Sequence, residues 1–256
     1  MQRLQPDTSI LEQYKGLKLT DAGDDCFVAD SDRVVMKLLE SDLEVLSVLA
    51  TADWYADNAD ALARLRLPVC YEAPLATMQS IVGYGLHHGV MARARRPKDV
   101  PLEDLLDGPI LVMDGIAKTD NVGAVIRNAA AFGFKHILID HRTCHPFQRR
   151  AVRTSMGNVY GMKVHQTRDL PAALRFLKSK GVQVIGFENR PQALDLHQIK
   201  FRKPLALIIG SEATGMSPEV TAEVTDLARI PIDPEVYALN AACASAVALY
   251  AARMAL

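Results

Sequence analysis

Apolar runs alternate with helix-like stretches throughout the second half of the chain. Five runs have the apolar, β-branched composition that is typical of strands, at residues 109–115, 136–140, 182–188, 204–210 and 227–232. Stretches with apolar residues at helical spacing lie between them, at residues 121–133, 147–160, 170–181 and 217–226. Strands that are apolar along their whole length are typical of parallel sheets covered on both faces. The pattern predicts a doubly wound α/β domain, with its ligand beyond the carboxyl ends of the strands.

The first hundred residues show the same mixture on a smaller scale. Short strand-like runs lie at residues 26–29, 47–51, 67–73 and 89–94, and helical patterns lie at residues 30–41 and 73–84. Charged residues and prolines without strand alternation follow, which is typical of a connecting segment. We therefore predict a small α/β domain at residues 1–97, a linker at residues 98–108 and the larger domain at residues 109–256.

The last helical stretch, residues 240–256, carries small apolar residues on nearly all of its sides. A helix of this kind packs closely against its neighbours. We expect it in the core or at an interface between subunits.

Composition excludes several classes of protein. The 256 residues are 49% hydrophobic and carry a formal net charge of −1, as in ordinary globular proteins. No run of about 18 apolar residues could span a bilayer, and the first residues lack the apolar segment of a secretory signal. We expect a cytoplasmic protein without a membrane partner. The cysteines Cys26, Cys70, Cys144 and Cys243 form no C-x-x-C pair, so we expect neither disulfides nor a metal site.

Two basic clusters stand out against this neutral background. One lies at residues 93–98 and the other at residues 142–153. Near-zero net charge argues against indiscriminate binding of polyanions, but it allows a local basic face. Taken alone, each cluster is typical of a solvated surface.

The segment LALIIGSEATGMSPEV, residues 205–220, is similar to a nucleotide-binding loop. Gly210 and Gly215 bracket four residues after an apolar run, as in the P-loop pattern G-x-x-x-x-G-K-[ST]. Met216, however, stands where a P-loop has the lysine that neutralises phosphate charge, and Glu212 would repel phosphates. The loop therefore predicts a ligand without concentrated negative charge.

Two other segments carry polar residues at the starts of predicted helices. Residues 121–133, NVGAVIRNAAAFG, contain Asn121 and Arg127 after a predicted strand. Residues 230–246, IPIDPEVYALNAACASA, place Asn240 before the small-residue helix. Each segment alone is also compatible with a plain helix start, because asparagine is a common helix cap and arginine a common surface residue.

In this order the three segments resemble the three motifs of the SpoU (TrmH-type) family of RNA ribose 2′-O-methyltransferases, in the SPOUT superfamily. The matching residues are Asn121, Gly123 and Arg127, then Gly210, Glu212 and Gly215, then Ile230, Pro231, Leu239 and Asn240. A further segment, AVRTSMGNVY at residues 151–160, is similar to the Arg-x-Ser-x-Gly sequence of that family. The similarity covers residues 109–256, and the first domain is similar to the small RNA-binding domain of many members.

The resemblance implies a fold and a cofactor. It implies a parallel sheet with helices on both faces and a deep carboxyl-terminal trefoil knot, a rare exception to the rule against knotted connections. It also implies that S-adenosylmethionine is bound in the knot. The residues that would hold the cofactor are Gly186, Gly210, Ile230, Ile232 and Leu239.

The resemblance further implies methyl transfer to a ribose 2′-hydroxyl of RNA, with ribosomal RNA favoured. The implied catalytic residues are Arg127, Asn121, Glu212 and Asn240, and the candidate RNA-binding residues are Arg95, Arg96, Arg150 and Arg153. A guanidinium stays protonated in proteins, so we expect it to grip a phosphate and stabilise the developing alkoxide, not to act as a base. Relatives complete the site across a homodimer, and we expect a homodimer here.

Three alternatives remain open at this point. Ala238 stands where the family usually has serine, which allows a catalytically weakened protein that binds RNA on the same fold. Transfer RNA is a second candidate substrate. A metal-dependent hydrolase could use His141, Cys144 and His145, although no acidic partner lies nearby in the sequence.

Overall fold

A computed structural model of the chain describes residues 3–14, 25–82, 85–86 and 88–255. The helices are α1 (Thr8–Glu12), α2 (Asp32–Leu39), α3 (Ala52–Asp57), α4 (Ala59–Leu62), α5 (Leu75–Val82), α6 (Thr119–Ala131), α7 (Arg149–Thr154), α8 (Leu170–Ser179), α9 (Pro218–Thr221) and α10 (Ala241–Ala255). The strands are β1 (Cys26–Asp30), β2 (Val45–Ala50), β3 (Val69–Glu72), β4 (Val90–Arg95), β5 (Ile110–Asp114), β6 (His136–Asp140), β7 (Lys163–Thr167), β8 (Gln183–Phe187), β9 (Leu194–Asp195), β10 (Leu205–Gly210) and β11 (Asp226–Arg229). These elements form two compact units.

The unit that contains most of the second half, Asp99–Pro146 with Gly161–Leu256, is built on a seven-stranded sheet. The strand order is β7-β6-β5-β10-β8-β11-β9, and every neighbouring pair is parallel. The prediction of a parallel α/β sheet is therefore confirmed.

The direction of winding reverses in the middle of this sheet. The chain moves outward from β5 through β6 to β7, and β8 and β10 then lie on the other side of β5. Strands β5 and β10 are adjacent, with Gly210 opposite Asp114 at their carboxyl ends. Ligands of open parallel sheets bind at such a reversal, because the loops that follow the two strands diverge and leave a crevice.

Both faces of the sheet are covered. Alternate residues of the central strands pack with buried side chains of α8 and of a 3-10 helix, Leu102–Asp107, in one core cluster. The intervening strand residues, such as Leu111, Leu207 and Ile209, are buried too. Apolar residues in both alternating sets explain why the strands lack a polar face.

The small-residue helix α10 is the longest helix among the described residues. It packs against α6 and contacts β10, and its residues Ala248, Leu249 and Ala252 are buried. Alanines allow two helices to approach closely, which explains the composition of this segment. Within the described residues, no helix is both long and apolar enough to cross a membrane.

The other unit combines Met1–Lys98 with Phe147–Tyr160. Its four-stranded sheet has the order β1-β4-β2-β3, in which β4 is antiparallel to both neighbours and β2 is parallel to β3. A buried cluster around Tyr14, Leu49 and Met91 fills one core, and the Tyr14 hydroxyl lies 2.6 Å from Ser47 Oγ. Sequence patterns indicated the four strands and α2; the predicted helix end at residues 83 and 84 lies outside the described residues.

The contacts of two segments differ from what the domain prediction assumed. Residues 147–160, assigned in sequence to the larger domain, belong to the first unit, where α7 packs on β1 and the rings of Phe147 and Phe27 lie 5.0 Å apart. The predicted linker, residues 98–108, includes the 3-10 helix whose Leu105 is fully buried in the core of the second unit. Because this buried leucine lies within a segment that is otherwise rich in charged residues, composition alone indicated a linker.

His136, the first residue of β6, makes the stability of the second unit depend on pH. Its ring is buried against Gly108, where an added Cβ would come within 2.6 Å of the ring, and burial together with the charge of Lys163 lowers the pKa of His136 below 6.5. The unfolded chain therefore takes up this proton first as pH falls. We expect the free energy of unfolding to decrease as pH drops below about 6.5, until the folded protein also binds the proton.

Urea unfolding at pH 7.5 and at pH 5.5 would check this expectation. His136→Gln should weaken the pH dependence, whereas the exposed His197→Gln serves as the matched control. An unchanged dependence in His136→Gln would contradict the role given to His136.

Candidate active site

The loop after β10 is held in a tight turn that closes on the end of its own strand. Ser211 and Gly215 exchange two backbone hydrogen bonds of 3.1 and 2.8 Å, and Gly215 adopts a positive φ of 69°. A side chain at Gly210 would place its Cβ 2.5 Å from backbone atoms of Gly215 and Met216. Both glycines are therefore required by the backbone, and the tip of the turn carries Glu212.

Met216, which replaces the lysine of a P-loop, faces the core. It is 1% exposed, and its sulfur and methyl group fill the space where Gly186 lacks a side chain. Gly186, predicted to bind the cofactor, therefore makes room for Met216 and does not line the cleft described below. Sequence could not separate these roles, because a glycine near the end of a strand fits both.

Asp114 at the end of β5 fixes the start of α9. Its buried carboxylate accepts hydrogen bonds from the backbone N–H of Ser217 at 2.7 Å and from the Ser217 hydroxyl at 3.0 Å. Arg142 Nη2 donates to the other oxygen at 2.5 Å. A buried carboxylate of this kind is costly unless it is fully bonded, so the three donors together lock the loop to the sheet.

Arg142 continues the network to Asp140 at the end of β6. Asp140 accepts hydrogen bonds from the Gly115 amide, from Thr143 and from Arg142 Nε at 2.6 Å. Burial acts to raise the pKa of Asp140, but the hydrogen bonds and the Arg142 charge outweigh it and lower the pKa below 3.8. The loops after β5, β6 and β10 are thus joined through two buried carboxylates and one arginine.

Three of the four predicted catalytic residues form a hydrogen-bonded chain above this network. Asn121, in the first turn of α6, donates through Nδ2 to Glu212 Oε1. Asn240 donates through Nδ2 to Asn121 Oδ1 at 3.3 Å. The Oδ1 atom of Asn240 accepts from the Ala242 amide at 2.9 Å and so caps α10. The three motifs therefore meet at one point, although Asn121 lies 91 residues before Glu212 and 119 residues before Asn240.

Arg127, the fourth predicted catalytic residue, lies apart from this chain. It is exposed on α6, six residues after Asn121, which corresponds to about 9 Å along a helix axis. Asn128, its neighbour, faces α10 instead and donates to Ala242 O at 2.7 Å and to Ser245 Oγ at 3.0 Å. The guanidinium of Arg127 is therefore presented to solvent.

A cleft of about 190 Å³ opens beside the Asn121–Glu212–Asn240 chain. Four segments at the carboxyl edge of the sheet form its walls, at residues 187–189, 209–215, 230–232 and 237–244. The predicted cofactor residues among them are Gly210, Ile230, Ile232 and Leu239. Residues 230–232 are not in a strand, because β11 ends at Arg229, and this departure lets the two isoleucines turn to the cleft.

The sequence did not single out Glu188, Asn189 and Tyr237, which also line the cleft. Asn189 Nδ2 donates to Tyr237 O at 3.3 Å and ties the segment after β8 to the segment before α10. The available signal was the position of Glu188, a carboxylate at the end of the predicted strand 182–188.

The candidate RNA-binding arginines all belong to the first unit. Arg95 forms an exposed ion pair with Glu44 at 2.8 Å, and Arg96 is half-buried. Arg150 is exposed on α7, and Arg153 Nη1 lies 3.7 Å from Asp30 Oδ2. Arg149, from the same basic cluster, is buried and pairs with Asp30 at 2.5 Å. The cluster thus combines a structural ion pair with more exposed charge.

Two of the three residues that suggested a metal site have structural contacts. Cys144 Sγ donates to Ala117 O at 2.7 Å, and His145 Nε2 lies 3.6 Å from Asp99. Among the described residues, no group of three or more histidine, cysteine or carboxylate side chains is placed to hold a metal ion.

Comparison with known proteins agrees with this geometry. The sequence profile described as SpoU rRNA Methylase family matches residues 108–250. A protein named 23S rRNA (guanosine-2′-O-)-methyltransferase RlmB, from Xylella fastidiosa, is 33% identical over 193 residues, which are 71% of this chain and 77% of the relative. A protein named as an uncharacterized tRNA/rRNA methyltransferase, from Mycobacterium bovis, is 28% identical over 96% of this chain and 88% of its own length.

Solved structures share the fold over nearly the whole chain. A putative RNA methyltransferase of the TrmH family from Porphyromonas gingivalis superposes with a TM-score of 0.84 at 22% identity, covering 98% of this chain and 99% of that one. An AdoMet-bound rRNA methyltransferase from Sinorhizobium meliloti gives a TM-score of 0.83 at 24% identity, covering 100% of this chain and 98% of that one. With these relatives and the profile match, the sequence prediction of the family is confirmed: the chain belongs to the SpoU rRNA methylase family.

Proposed function

We propose that this protein is an S-adenosylmethionine-dependent methyltransferase that modifies a ribose 2′-hydroxyl in ribosomal RNA. The observation that carries the proposal is the convergence of Asn121, Glu212 and Asn240 beside a cleft at the carboxyl ends of β8, β10 and β11. The named activity of the RlmB relative supports the same reaction.

The residues of the cleft fit S-adenosylmethionine better than a nucleoside triphosphate. Its charged lining residues are the two acids Glu188 and Glu212, and no lysine or arginine lines it within the described part of the chain. Gly210 contributes to the lining of the cleft, and Ile230, Ile232 and Leu239 provide apolar walls for a neutral base. When bound, the cofactor supplies a methyl group attached to a positively charged sulfur. That sulfur is a good leaving group, and its positive charge needs no neutralising lysine.

The polar residues of the three motifs have two different proposed roles. We assign Asn121, Glu212 and Asn240 to holding the loop tip and the start of α10 in place. We assign Arg127 to the RNA, because it is exposed, does not line the cleft and carries a permanent positive charge. Its guanidinium would bind an RNA phosphate and stabilise the negative charge that develops on the ribose oxygen during methyl transfer.

We infer a homodimer from α10. Its exposed side includes Val247, Tyr250 and Met254, which are 39%, 55% and 69% exposed and recur at intervals of three and four residues. An apolar stripe of this spacing on a helix that already packs on α6 is typical of an interface. The cytoplasm remains the expected compartment, and arginines of the first unit are the expected RNA contacts.

Two measurements test the proposed function. Calorimetric titration of the purified protein with S-adenosylmethionine should give saturable binding. Mapping of 2′-O-methylation in ribosomal and transfer RNA, from cells with and without the gene, should show one or more ribosomal positions that depend on it. Dependence confined to transfer RNA would overturn the substrate, and cofactor binding without any dependent position would indicate a non-catalytic RNA-binding protein.

A further inference from the structure

Glu188 is a carboxylate inside the proposed cofactor cleft that the mechanism above does not use. It directly follows β8, and its backbone N–H donates to Ala228 O at 2.9 Å. Its side chain is only 12% exposed, lines the cleft and packs against Gly215. An acid this buried is costly unless its oxygens are bonded.

One oxygen of this carboxylate lacks a hydrogen bond. Arg190 Nη2 donates to Oε1 at 2.9 Å. Arg190 Nε lies 2.8 Å from Oε2, close enough for an ion pair but outside hydrogen-bonding geometry, and no described residue donates a hydrogen bond to Oε2. Buried polar atoms are almost always bonded, so a buried acceptor without a hydrogen bond, on a residue that lines the cleft, points to a donor on the ligand.

Gly215 packs closely on the carboxylate of Glu188. Glu188 Oε1 lies so close to the α-carbon of Gly215 that any side chain there would overlap the carboxylate. Arg190 holds the carboxylate from one side and Gly215 packs on another, so the carboxylate has a fixed orientation. A carboxylate can accept about four hydrogen bonds, so acceptor positions remain beyond the one that Arg190 uses.

We propose that Glu188 accepts hydrogen bonds from the ribose hydroxyls of the adenosine group bound in this cleft. The inference rests on the proposed function and adds a side chain that recognises the sugar. A ribose presents two neighbouring O–H donors, and a carboxylate accepts both, as the acidic residue of dinucleotide-binding folds does at the end of a strand. Arg190 orients the carboxylate through its hydrogen bond and ion pair, and is a positioning residue.

The test uses the neutral product S-adenosylhomocysteine and its 2′-deoxy and 3′-deoxy analogues, titrated calorimetrically into the full chain. Lack of the positive sulfur removes general charge attraction as an explanation. We expect wild-type protein to bind the deoxy analogues about 10- to 100-fold more weakly, the range of one hydrogen bond to a charged group. Glu188→Gln should bind the parent compound about 10-fold more weakly and lose most of this discrimination. The exposed Glu219→Gln is the matched control for loss of one negative charge.

Each result bears on a different claim. Equal binding of parent and deoxy compounds by wild-type protein would overturn the inference without any variant. Weaker binding by Glu188→Gln with discrimination intact would place the carboxylate against the adenine amine or the amino acid part, and would also overturn it. Failure of wild-type protein to bind either S-adenosylmethionine or its product would instead overturn the proposed function itself.

Discussion

Arg127→Ala is expected to abolish methyl transfer while leaving cofactor affinity nearly unchanged. Arg127 does not line the cleft, so its loss should not change the binding of S-adenosylmethionine. It is an exposed cation on α6, the helix whose first turn carries Asn121, and a donor that stabilises developing negative charge contributes about 10²- to 10³-fold to the rate. Alanine is a strong helix former, so α6 should remain folded. Single-turnover transfer of a labelled methyl group to RNA measures the rate, and calorimetry measures the affinity.

Two further variants separate the chemistry of Arg127 from a general loss of charge. Arg127→Lys keeps the charge but not the planar fork of donors, so it should restore only part of the rate. Arg168→Ala removes another exposed arginine, from the loop after β7, and should leave the rate unchanged. A wild-type rate in Arg127→Ala would remove Arg127 from the mechanism, and a parallel loss of cofactor affinity would move it into the cofactor site.

The sequence predicted the central part of the second unit because burial makes its strands conspicuous. Strands β5, β6, β8 and β10 are nearly all apolar and lie inside a sheet covered on both faces. Strand β7, with the sequence KVHQT, lies at the sheet edge and buries only one of its five residues, so it lacked that signal. Strand β9 is only two residues long.

Association between distant segments could not be deduced from local patterns. The helical pattern at residues 147–160 is compatible with either unit, and only the packing of α7 on β1 places it in the first. The buried pair of Arg149 with Asp30 shows the same point, since the sequence presents Arg149 as one more member of a basic cluster. The trefoil knot remains a prediction from the family resemblance.

The residues of the candidate site could likewise be predicted only in part from the sequence. Motif residues Asn121, Glu212 and Asn240 could be predicted together, because their order along the chain is distinctive, and their side chains do meet. Glu188 could not be predicted, since a single glutamate after a strand is common. That one of its buried oxygens lacks a hydrogen bond is visible only in the three-dimensional structure. Position 186 carries a glycine because the thioether of Met216 occupies the space of a side chain there, and this packing could not be deduced from the sequence.

Asp114→Ala is expected to destabilise the second unit by about 3 kcal/mol and to weaken cofactor binding. The substitution removes the buried carboxylate, 1% exposed, to which Ser217 N–H and Arg142 Nη2 donate, whereas Arg142 Nε keeps its contact with Asp140. Because Arg142 itself is half-exposed, its loss of a partner contributes less than in a fully buried pair. Urea unfolding measures the stability, and hydrogen exchange of the Ser217 amide reports directly on the broken contact.

Two further variants serve as controls for Asp114→Ala. Asp114→Asn keeps the shape and one acceptor oxygen, so it should retain part of the protection of the Ser217 amide. Asp107→Ala breaks an ion pair with Lys163 whose partners are 70% and 42% exposed, and should change stability much less. If Asp114→Ala unfolds at the wild-type urea concentration, the loop after β10 is not held by β5. Weaker cofactor binding in a variant whose β10 strand is intact would show that the cleft depends on this buried carboxylate, because Asp114 touches the start of α9 and not the cleft itself.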